Sequence, residues 1–358
     1  MKSKITVAIF SFLIIGLLAL SLVMPKSEIL ISERRSPAKF PDISGKSILS
    51  TTFMTSFETY TQDNFPFRET FRGLKSFVNN YILVRGENNG VYKYNGYISE
   101  VEYPMNGESM ERAANKFKAL QDKYFPENEN VYLSVIPDKN KYTAGKPKMD
   151  YDLFENKMKE MLSSAQYIEI SHMIGLEDFY QTDTHLRQEK IIDVAKHLAL
   201  SMGKNIDNSY ETKELENTFY GVYTGRWALP QKGDRLYYLT NAEIDDLIVT
   251  NFETGKKGGV YDMEKAAGLD PYEIFLSGPI SLLTVENPAL SDGSHLIIFR
   301  DSFASAVAPL LSEGWQKITL VDIRYINSAY LSSLVDFEGA DVLFLYSTLV
   351  LNNSETLK

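Results

Sequence analysis

The last third of the chain alternates short apolar runs with helical segments, and this alternation constrains the fold more than any other feature. It predicts strands at "HLIIF" (295–299), "KITLV" (317–321) and "DVLFLY" (341–346), with helices over 303–313 and 327–335 between them. Strands that are joined by crossover helices pair in parallel, and a parallel sheet needs helices on both of its faces. The sequence therefore predicts an α/β protein with a parallel sheet and flanking helices.

Segments further upstream continue the same pattern. "VYLSVIP" (131–137) and "YIEI" (167–170) predict two more strands, and the periodicity of apolar residues predicts helices over 109–123, 150–164 and 186–202. Because these strands and helices also alternate, we expect them to extend the same sheet.

Other segments carry weaker signals. Between Phe53 and Val78 the apolar spacing predicts two helices joined by a turn, and Asn95-Gly96 indicates a hairpin over 90–98. Residues 205–275 look rich in loops, and we interpret them as an insertion or a cover.

The chain begins with an uncharged apolar run, from Ile5 to Met24, behind Lys2 and Lys4. At about 1.5 Å per residue this run is long enough to cross a bilayer. A signal peptide cleaved near "ALS" (19–21) is the alternative, but the apolar run continues beyond that point, which favours an anchor. We therefore predict a signal anchor or signal peptide over 1–26, a polar tether over 27–50, and a body outside the cytoplasm. That body is held at the cell membrane by the N-terminal helix, or secreted if the signal is cleaved.

Charge excludes one class of partner for the exported part. Residues 27–358 contain 34 basic and 47 acidic side chains, a net charge of −13. Such a surface repels phosphate backbones, so we exclude nucleic acid as a main partner. The chain has no cysteine, so it forms no disulfide and its stability must come from the apolar core.

Polar residues follow the predicted strands, where ligand sites form in parallel sheets. These strand ends are Pro137-Asp138, Arg300-Asp301-Ser302, Asp322-Ile323-Arg324 and Tyr346-Ser347. Ser302 lies where a strand leads into a helix, so nearby backbone N–H groups could stabilise an oxyanion. The alternative is that Asp301 or Ser302 only caps that helix.

A nucleophilic serine needs a base, and Asp183-Thr184-His185 provides a histidine with its own carboxylate. The alternative is a solvated histidine behind an Asp183 helix cap. The remaining histidines, His172, His197 and His295, are less suitable as the general base for this serine. A metal site is disfavoured because the chain has no motif with ligand spacing, and we predict neither a metal nor another cofactor.

Three further residues at strand ends are candidates for substrate binding. Arg324 follows the strand beside that of Ser302 and could face substrate oxygens, but a salt bridge to Asp322 or Asp301 is an equal alternative. Arg300 and Tyr346 are weaker candidates of the same kind.

Two blocks of the sequence, "TDTHL" and "LIIFRDSFASAVAPLLSEGWQKITLVDIRYI", resemble the DHHW family and the related alginate O-acetylation proteins, which belong to the SGNH-hydrolase-like group. "SERRSPAKFPDIS", "YTQDNFPFRETF", "VIPDKNKY" and "DPYEIFLSG" are similar as well. The resemblance implies an SGNH-hydrolase-like catalytic domain over 51–358. It also implies that Ser302 is the nucleophile, His185 the general base, and Asp183 the residue that orients the imidazole.

The resemblance implies an extracytoplasmic O-acetyltransferase that acts on a cell-surface or secreted polysaccharide through an acetyl-serine intermediate. A membrane-bound O-acyltransferase would then supply the acetyl group. A carbohydrate acetylesterase with the same triad is one alternative, and a non-catalytic glycan-binding or scaffold subunit of a polysaccharide secretion complex is another.

Two positions depart from the family pattern. Leu186 stands where the motif has tryptophan, and Arg300 stands where many members of the wider group have glycine. No counterpart of that group's asparagine block is found, so only the Ser302 N–H is assigned as an oxyanion donor.

Overall fold

The computed structural model describes residues 2–127 and 129–358, and the chain divides into two compact units. The first unit contains the chain up to Gly90 together with Thr224–Gln231. The second contains Val91–Tyr223 and Lys232–Lys358. Residues 51–90, which the family resemblance includes in the expected catalytic domain, therefore group with the N-terminal segment.

The first unit is helical. Its elements are α1 (Lys2–Val23), α2 (Gly45–Leu49), α3 (Thr52–Asp63), α4 (Arg68–Phe77) and a π-helical turn (Val78–Ile82). Within α1, Lys4–Val23 is long and apolar enough to cross a membrane. The two helices expected between Phe53 and Val78 are confirmed as α3 and α4.

The remaining strands and helices follow in chain order. The strands are β1 (Val91–Tyr94), β2 (Tyr97–Glu100), β3 (Val131–Ile136), β4 (Gln166–Tyr167), β5 (Glu211–Phe219), β6 (Asp234–Thr240), β7 (Ile248–Asn251), β8 (Lys257–Gly258), β9 (Leu282–Glu286), β10 (His295–Arg300), β11 (Lys317–Val321) and β12 (Asp341–Ser347). The helices are α5 (Gly107–Tyr124), α6 (Tyr151–Met161), α7 (Ile192–Ser201), α8 (Val222–Trp227), α9 (Ala242–Asp246), α10 (Ala304–Leu311) and α11 (Thr348–Leu351).

An eight-stranded sheet forms the second unit's centre, in the order β4-β3-β12-β10-β11-β9-β7-β8. The first five strands of that order are mutually parallel, which confirms a sheet rich in parallel pairs. From β3 the chain proceeds to β4 on one side, and from β10 it proceeds to β11 on the other. The order thus changes direction around β12, and ligand sites of open α/β sheets lie at the carboxyl ends beside such a point.

Both faces of the central strands are buried, because their sequences are apolar at nearly every position. In β10, Leu296 and Ile298 belong to one core cluster, while Ile297 and Phe299 belong to the other. Residues of α7 and α10 fill the first cluster, and residues of α5 and α6 fill the second. The turn after β10 therefore follows a strand that is tightly packed on both faces, which keeps the start of the turn rigid.

The structure differs from the local expectations at three places. The segment 205–275, interpreted as rich in loops, contains the β5–β6 hairpin and two strands of the main sheet: β7 pairs antiparallel with β9, and β8 pairs antiparallel with β7. The segment expected to be helical over 327–335 is a 3-10 turn, Ser328–Ser333. The helix expected over 186–202 begins only at Ile192, so His185 lies in a loop.

Candidate active site

Asp183, His185 and Ser302 form a hydrogen-bonded chain, which we call the triad. His185 Nε2 lies 2.9 Å from Ser302 Oγ, and His185 Nδ1 lies 2.6 Å from Asp183 Oδ1. Asp183 is buried, while the His185 side chain keeps 12% of its surface exposed and Ser302 is half-buried. The carboxylate is thus shielded from water, and the serine end is open to an incoming molecule. These are the contacts that a serine nucleophile, a base and an orienting carboxylate require.

The turn that carries Ser302 is fixed by the preceding aspartate. Asp301 is completely buried, and its carboxylate accepts hydrogen bonds from the backbone N–H groups of Phe303 (2.9 Å) and Ser347 (2.7 Å). Asp301 therefore ties the end of β10 to the end of β12. Because Asp301 makes these backbone contacts, the Ser302 hydroxyl is left to pair with His185.

The loop that carries Asp183 and His185 is held by backbone contacts rather than by a helix. Val222 N–H donates to Asp183 Oδ2 (2.8 Å), and His185 N–H donates to Asp183 Oδ1 (3.1 Å). The alternative of Asp183 as a helix cap is therefore wrong. Gly221 passes so close that a Cβ atom there would lie 2.3 Å from Asp183 Cβ, so a larger residue would displace the loop.

Asp234, at the start of β6, secures the same loop from the other side. Its carboxylate accepts hydrogen bonds from the N–H groups of Gln181 (2.6 Å) and Thr182 (2.8 Å) and from the Thr182 hydroxyl (2.6 Å). The β5–β6 hairpin therefore contributes directly to the position of the loop that carries Asp183 and His185.

Lys139 is fully buried and directs its ammonium group at this loop. Nζ donates to the carbonyl oxygens of Asp183 (2.5 Å), Tyr180 (2.6 Å) and Ile98 (2.8 Å), with Gln181 O more distant at 3.5 Å. Burial lowers the pKa of Lys139 to about 7, although the carboxylates of Asp183 and Asp234 oppose the shift. The ammonium group thus joins β2 and the loop through uncharged acceptors.

Two aromatic rings enclose the imidazole. The Tyr272 ring stacks on His185 with centroids 3.9 Å apart and planes 9° apart, and the Phe303 ring lies 5.1 Å away. Leu186, which stands where the family motif has tryptophan, is buried in the core beneath the loop. In this chain, Tyr272 therefore supplies the aromatic surface beside the histidine.

The three candidates for substrate binding lie close to the sheet edge but not in the triad. Arg324 forms a two-point salt bridge with Asp322 (2.9 and 2.6 Å), which is the alternative stated above. Arg300 is buried and donates to Ser305 Oγ (2.7 Å), and the Tyr346 ring is buried against Phe117. Burial argues against contact between a polymer and either Arg300 or Tyr346.

Sequence reasoning assigned no role to Lys139, Tyr272 or Asp234. The first two lie in "VIPDKNKY" and "DPYEIFLSG", which carry part of the family resemblance, so a signal was present without a function attached. Asp234 lies in a segment interpreted as loop and gave no signal. Across residues 2–127 and 129–358, no group of three or more His, Asp or Glu side chains is arranged to hold a metal ion.

No protein-family model matches the chain, and no curated protein matches its sequence. Among solved structures, it is similar to a DHHW family protein from Eubacterium siraeum DSM 15702, with a TM-score of 0.63 and 18% identity over 76% of this chain and 95% of that one. It is also similar to Bacillus cereus PatB1, with a TM-score of 0.61 and 16% identity over 75% and 98% of the two chains. A structure of PatB1 with a sulfonyl adduct gives a TM-score of 0.59 at 16% identity over 73% and 95%. The resemblance to the DHHW family is thereby confirmed at the level of the fold.

Proposed function

We propose that this protein is an extracytoplasmic O-acetyltransferase that transfers acetyl groups to a cell-surface or secreted polysaccharide. The observation that carries the proposal is the triad, with its contacts of 2.9 Å and 2.6 Å on a loop and a turn that are separately fixed. The sequence resemblance to alginate O-acetylation proteins supports the choice of acetyl group and polysaccharide. The fold shared with a DHHW family protein agrees with it.

The chemistry follows from the positions of the three side chains. Ser302 Oγ attacks the carbonyl carbon of the acetyl donor while His185 Nε2 takes the hydroxyl proton. The leaving group departs with that proton, and an acetyl-serine remains. A sugar hydroxyl then gives its proton to His185 and attacks the acetyl carbon, which releases the acetylated sugar and restores the Ser302 hydroxyl.

Charge stabilisation in this scheme comes from two sides. Asp183 offsets the positive charge that His185 gains when it takes the proton, and it keeps the imidazole in one tautomer. The Ser302 N–H is the donor that we assign to the developing oxyanion.

The location of the protein follows from α1. We propose that Lys4–Val23 anchors the chain in the cell membrane, with the triad on the outer side. The acetyl donor would reach it through a membrane-bound O-acyltransferase, because acetyl groups activated in the cytoplasm must cross the bilayer to reach this site.

The proposal can be tested with the full chain in detergent and an activated acetyl ester. We expect the intact mass to rise by one acetyl group, and we expect Ser302→Ala and His185→Ala to abolish the rise. Ser333→Ala, which changes an exposed serine outside the triad, serves as the matched control.

The second arm of the test adds a polysaccharide acceptor to the acetylated protein. Transfer of the acetyl group to the polymer supports the transferase. Release only as free acetate would contradict it in favour of an acetylesterase. Absence of any adduct and of ester turnover would contradict both and favour a non-catalytic scaffold.

A further inference from the structure

Helix α4 of the first unit is held by its polar face. Ser76 Oγ donates to Trp227 O (2.6 Å), and Arg72 donates to Gly225 O (2.8 Å). Between these two, Gly73 brings the helix so close to Ala228 O that a Cβ atom would lie 3.2 Å from it. A helix on the surface of a globular protein normally buries its apolar face, so this orientation is reversed.

The apolar face of α4 and of the π-helical turn after it points outward. Phe71, Leu74 and Phe77 are 45%, 55% and 46% exposed, and Tyr81 and Ile82 are 65% and 62% exposed. Their spacing of three and four residues places most of these side chains on one stripe. A stripe of this length is unusual on a surface that faces water only.

This stripe, Phe71 to Ile82, is continuous with the end of α1. Leu18 and Leu22 of α1 line a groove of about 660 Å³ with Phe57 and Phe65, and the Phe65 ring contacts the Phe71 ring edge-on at 5.7 Å. Leu22 lies in the last turn of the candidate membrane span. The stripe therefore begins at the level where a spanning α1 would leave the hydrocarbon core.

Charge distinguishes this part of the chain from the rest. Residues 27–90 contain 8 basic and 7 acidic side chains, whereas residues 91–358 contain 26 basic and 40 acidic ones. A net charge of +1 permits close approach to a bilayer with anionic lipids, whereas the −14 of the remainder opposes it. Phenylalanine and tyrosine also suit the interface between lipid and water.

We propose that the stripe Phe71–Ile82 lies on the outer surface of the lipid bilayer as an interfacial helix. The helix sits in the headgroup region with its apolar side chains towards the acyl chains, while its polar face stays attached to the protein. The inference rests on α1 being retained as the membrane anchor and is independent of the acetyl-transfer chemistry. It would hold the end of the first unit, close in sequence to Val91, at the membrane surface.

The absence of cysteine makes a single-label experiment clean. The full chain is reconstituted into vesicles of zwitterionic and anionic phospholipid, with an environment-sensitive fluorophore on one introduced cysteine. Leu74→Cys and Tyr81→Cys report the stripe. Glu69→Cys is the matched control, because Glu69 is exposed on the same helix but lies off the apolar face. Ile14→Cys, in the middle of α1, reports the anchor.

Lipids that carry a quencher near the headgroup should quench the labels at positions 74 and 81 at least two-fold more than the label at 69. Lipids with a deep quencher should quench the label at 14. As a further check, Leu74→Glu should remove the quenching at position 81 and leave the unfolding temperature within about 2 °C, because Leu74 is exposed.

Equal quenching at 69, 74 and 81 would overturn the proposal. A second result would also overturn it: no lipid quenching of the label at 74 in pure vesicles, with a change in its fluorescence only after membrane proteins from the source cells are added. The stripe would then be a docking surface for a protein partner. Quenching at 74 without quenching at 14 would also overturn the proposal, because the inference rests on α1 spanning the membrane as the anchor.

Discussion

Two polar clusters lie near the carboxyl ends of the parallel strands, and they differ in how far water reaches them. In the triad, the Asp183 carboxylate is buried, whereas the His185 and Ser302 side chains are partly exposed. The second cluster surrounds Asp138, just after β3, whose carboxylate accepts hydrogen bonds from the Tyr151 hydroxyl (2.9 and 2.8 Å), the Thr348 hydroxyl (2.7 Å) and Asn140 N–H (2.8 Å). Asp138 is only 2% exposed, and burial raises its pKa. The same edge of one sheet thus holds a cluster suited to chemistry and a closed cluster suited to holding strands together.

The largest effect should come from removing the proposed nucleophile. Ser302→Ala should lower kcat for an acetyl ester by about 10³-fold or more, because the hydroxyl that pairs with His185 Nε2 is lost. The melting temperature should stay within a few degrees, since the side chain is small and half-buried. Rate assays and thermal unfolding measure the two quantities, and a large loss of stability would remove the contrast with the Asp138 cluster.

The Asp138 cluster should respond in the opposite way. Asp138→Ala leaves the buried hydroxyls of Tyr151 and Thr348 without their acceptor, so the free energy of unfolding should fall by roughly 3 kcal/mol. Activity of the molecules that remain folded should stay near that of the wild type. Urea unfolding measures the stability, and kcat at low temperature measures the activity. A free energy of unfolding within about 0.5 kcal/mol of the wild type, which is the usual effect of a surface substitution, would contradict a structural role.

Lys139 connects the two regions, because it follows Asp138 in sequence and contacts the triad loop. Its folded-state pKa of about 7 lies below the ordinary lysine value, so the unfolded chain binds the extra proton between about pH 7 and pH 10. Stability should therefore rise with pH across this window, by up to about 1.4 kcal/mol per pH unit from this group.

The difference between wild type and Lys139→Met isolates that contribution, and urea unfolding at several pH values measures it. A difference that does not change between pH 7 and pH 10 would mean that Lys139 keeps its ordinary pKa. Lys141→Met is a suitable control, because Lys141 is paired with Glu155 at 3.0 Å.

The smallest effect concerns the ring that stacks on His185. Tyr272→Leu should lower kcat by about ten-fold, since the imidazole loses the surface that limits its orientation. Tyr272→Phe should leave kcat within about two-fold, because the buried hydroxyl has no hydrogen-bond partner in the described part of the chain. Steady-state kinetics of the two variants provide the test, and equal losses in both would assign the effect to the hydroxyl instead of the ring.

The sequence predicted most of the parallel half of the sheet. The strands β3, β10, β11 and β12 are buried on both faces, so each appears as a short, mostly apolar run with a helix or turn before the next. The antiparallel half was missed. There, β8 has only two residues, and β7 is partly exposed, so neither produces a strong local pattern.

By itself, the sequence determined the residue types of the triad and their places beside strand ends, because apolar periodicity and short motifs are local properties of the chain. It also determined the apolar spans of α1 and α4. Only the tertiary structure decided which polar strand ends are closed and which are open, because burial depends on packing between distant segments. It likewise placed Lys139 and Tyr272 against the triad loop and turned the apolar face of α4 outward, since such contacts join residues far apart in sequence.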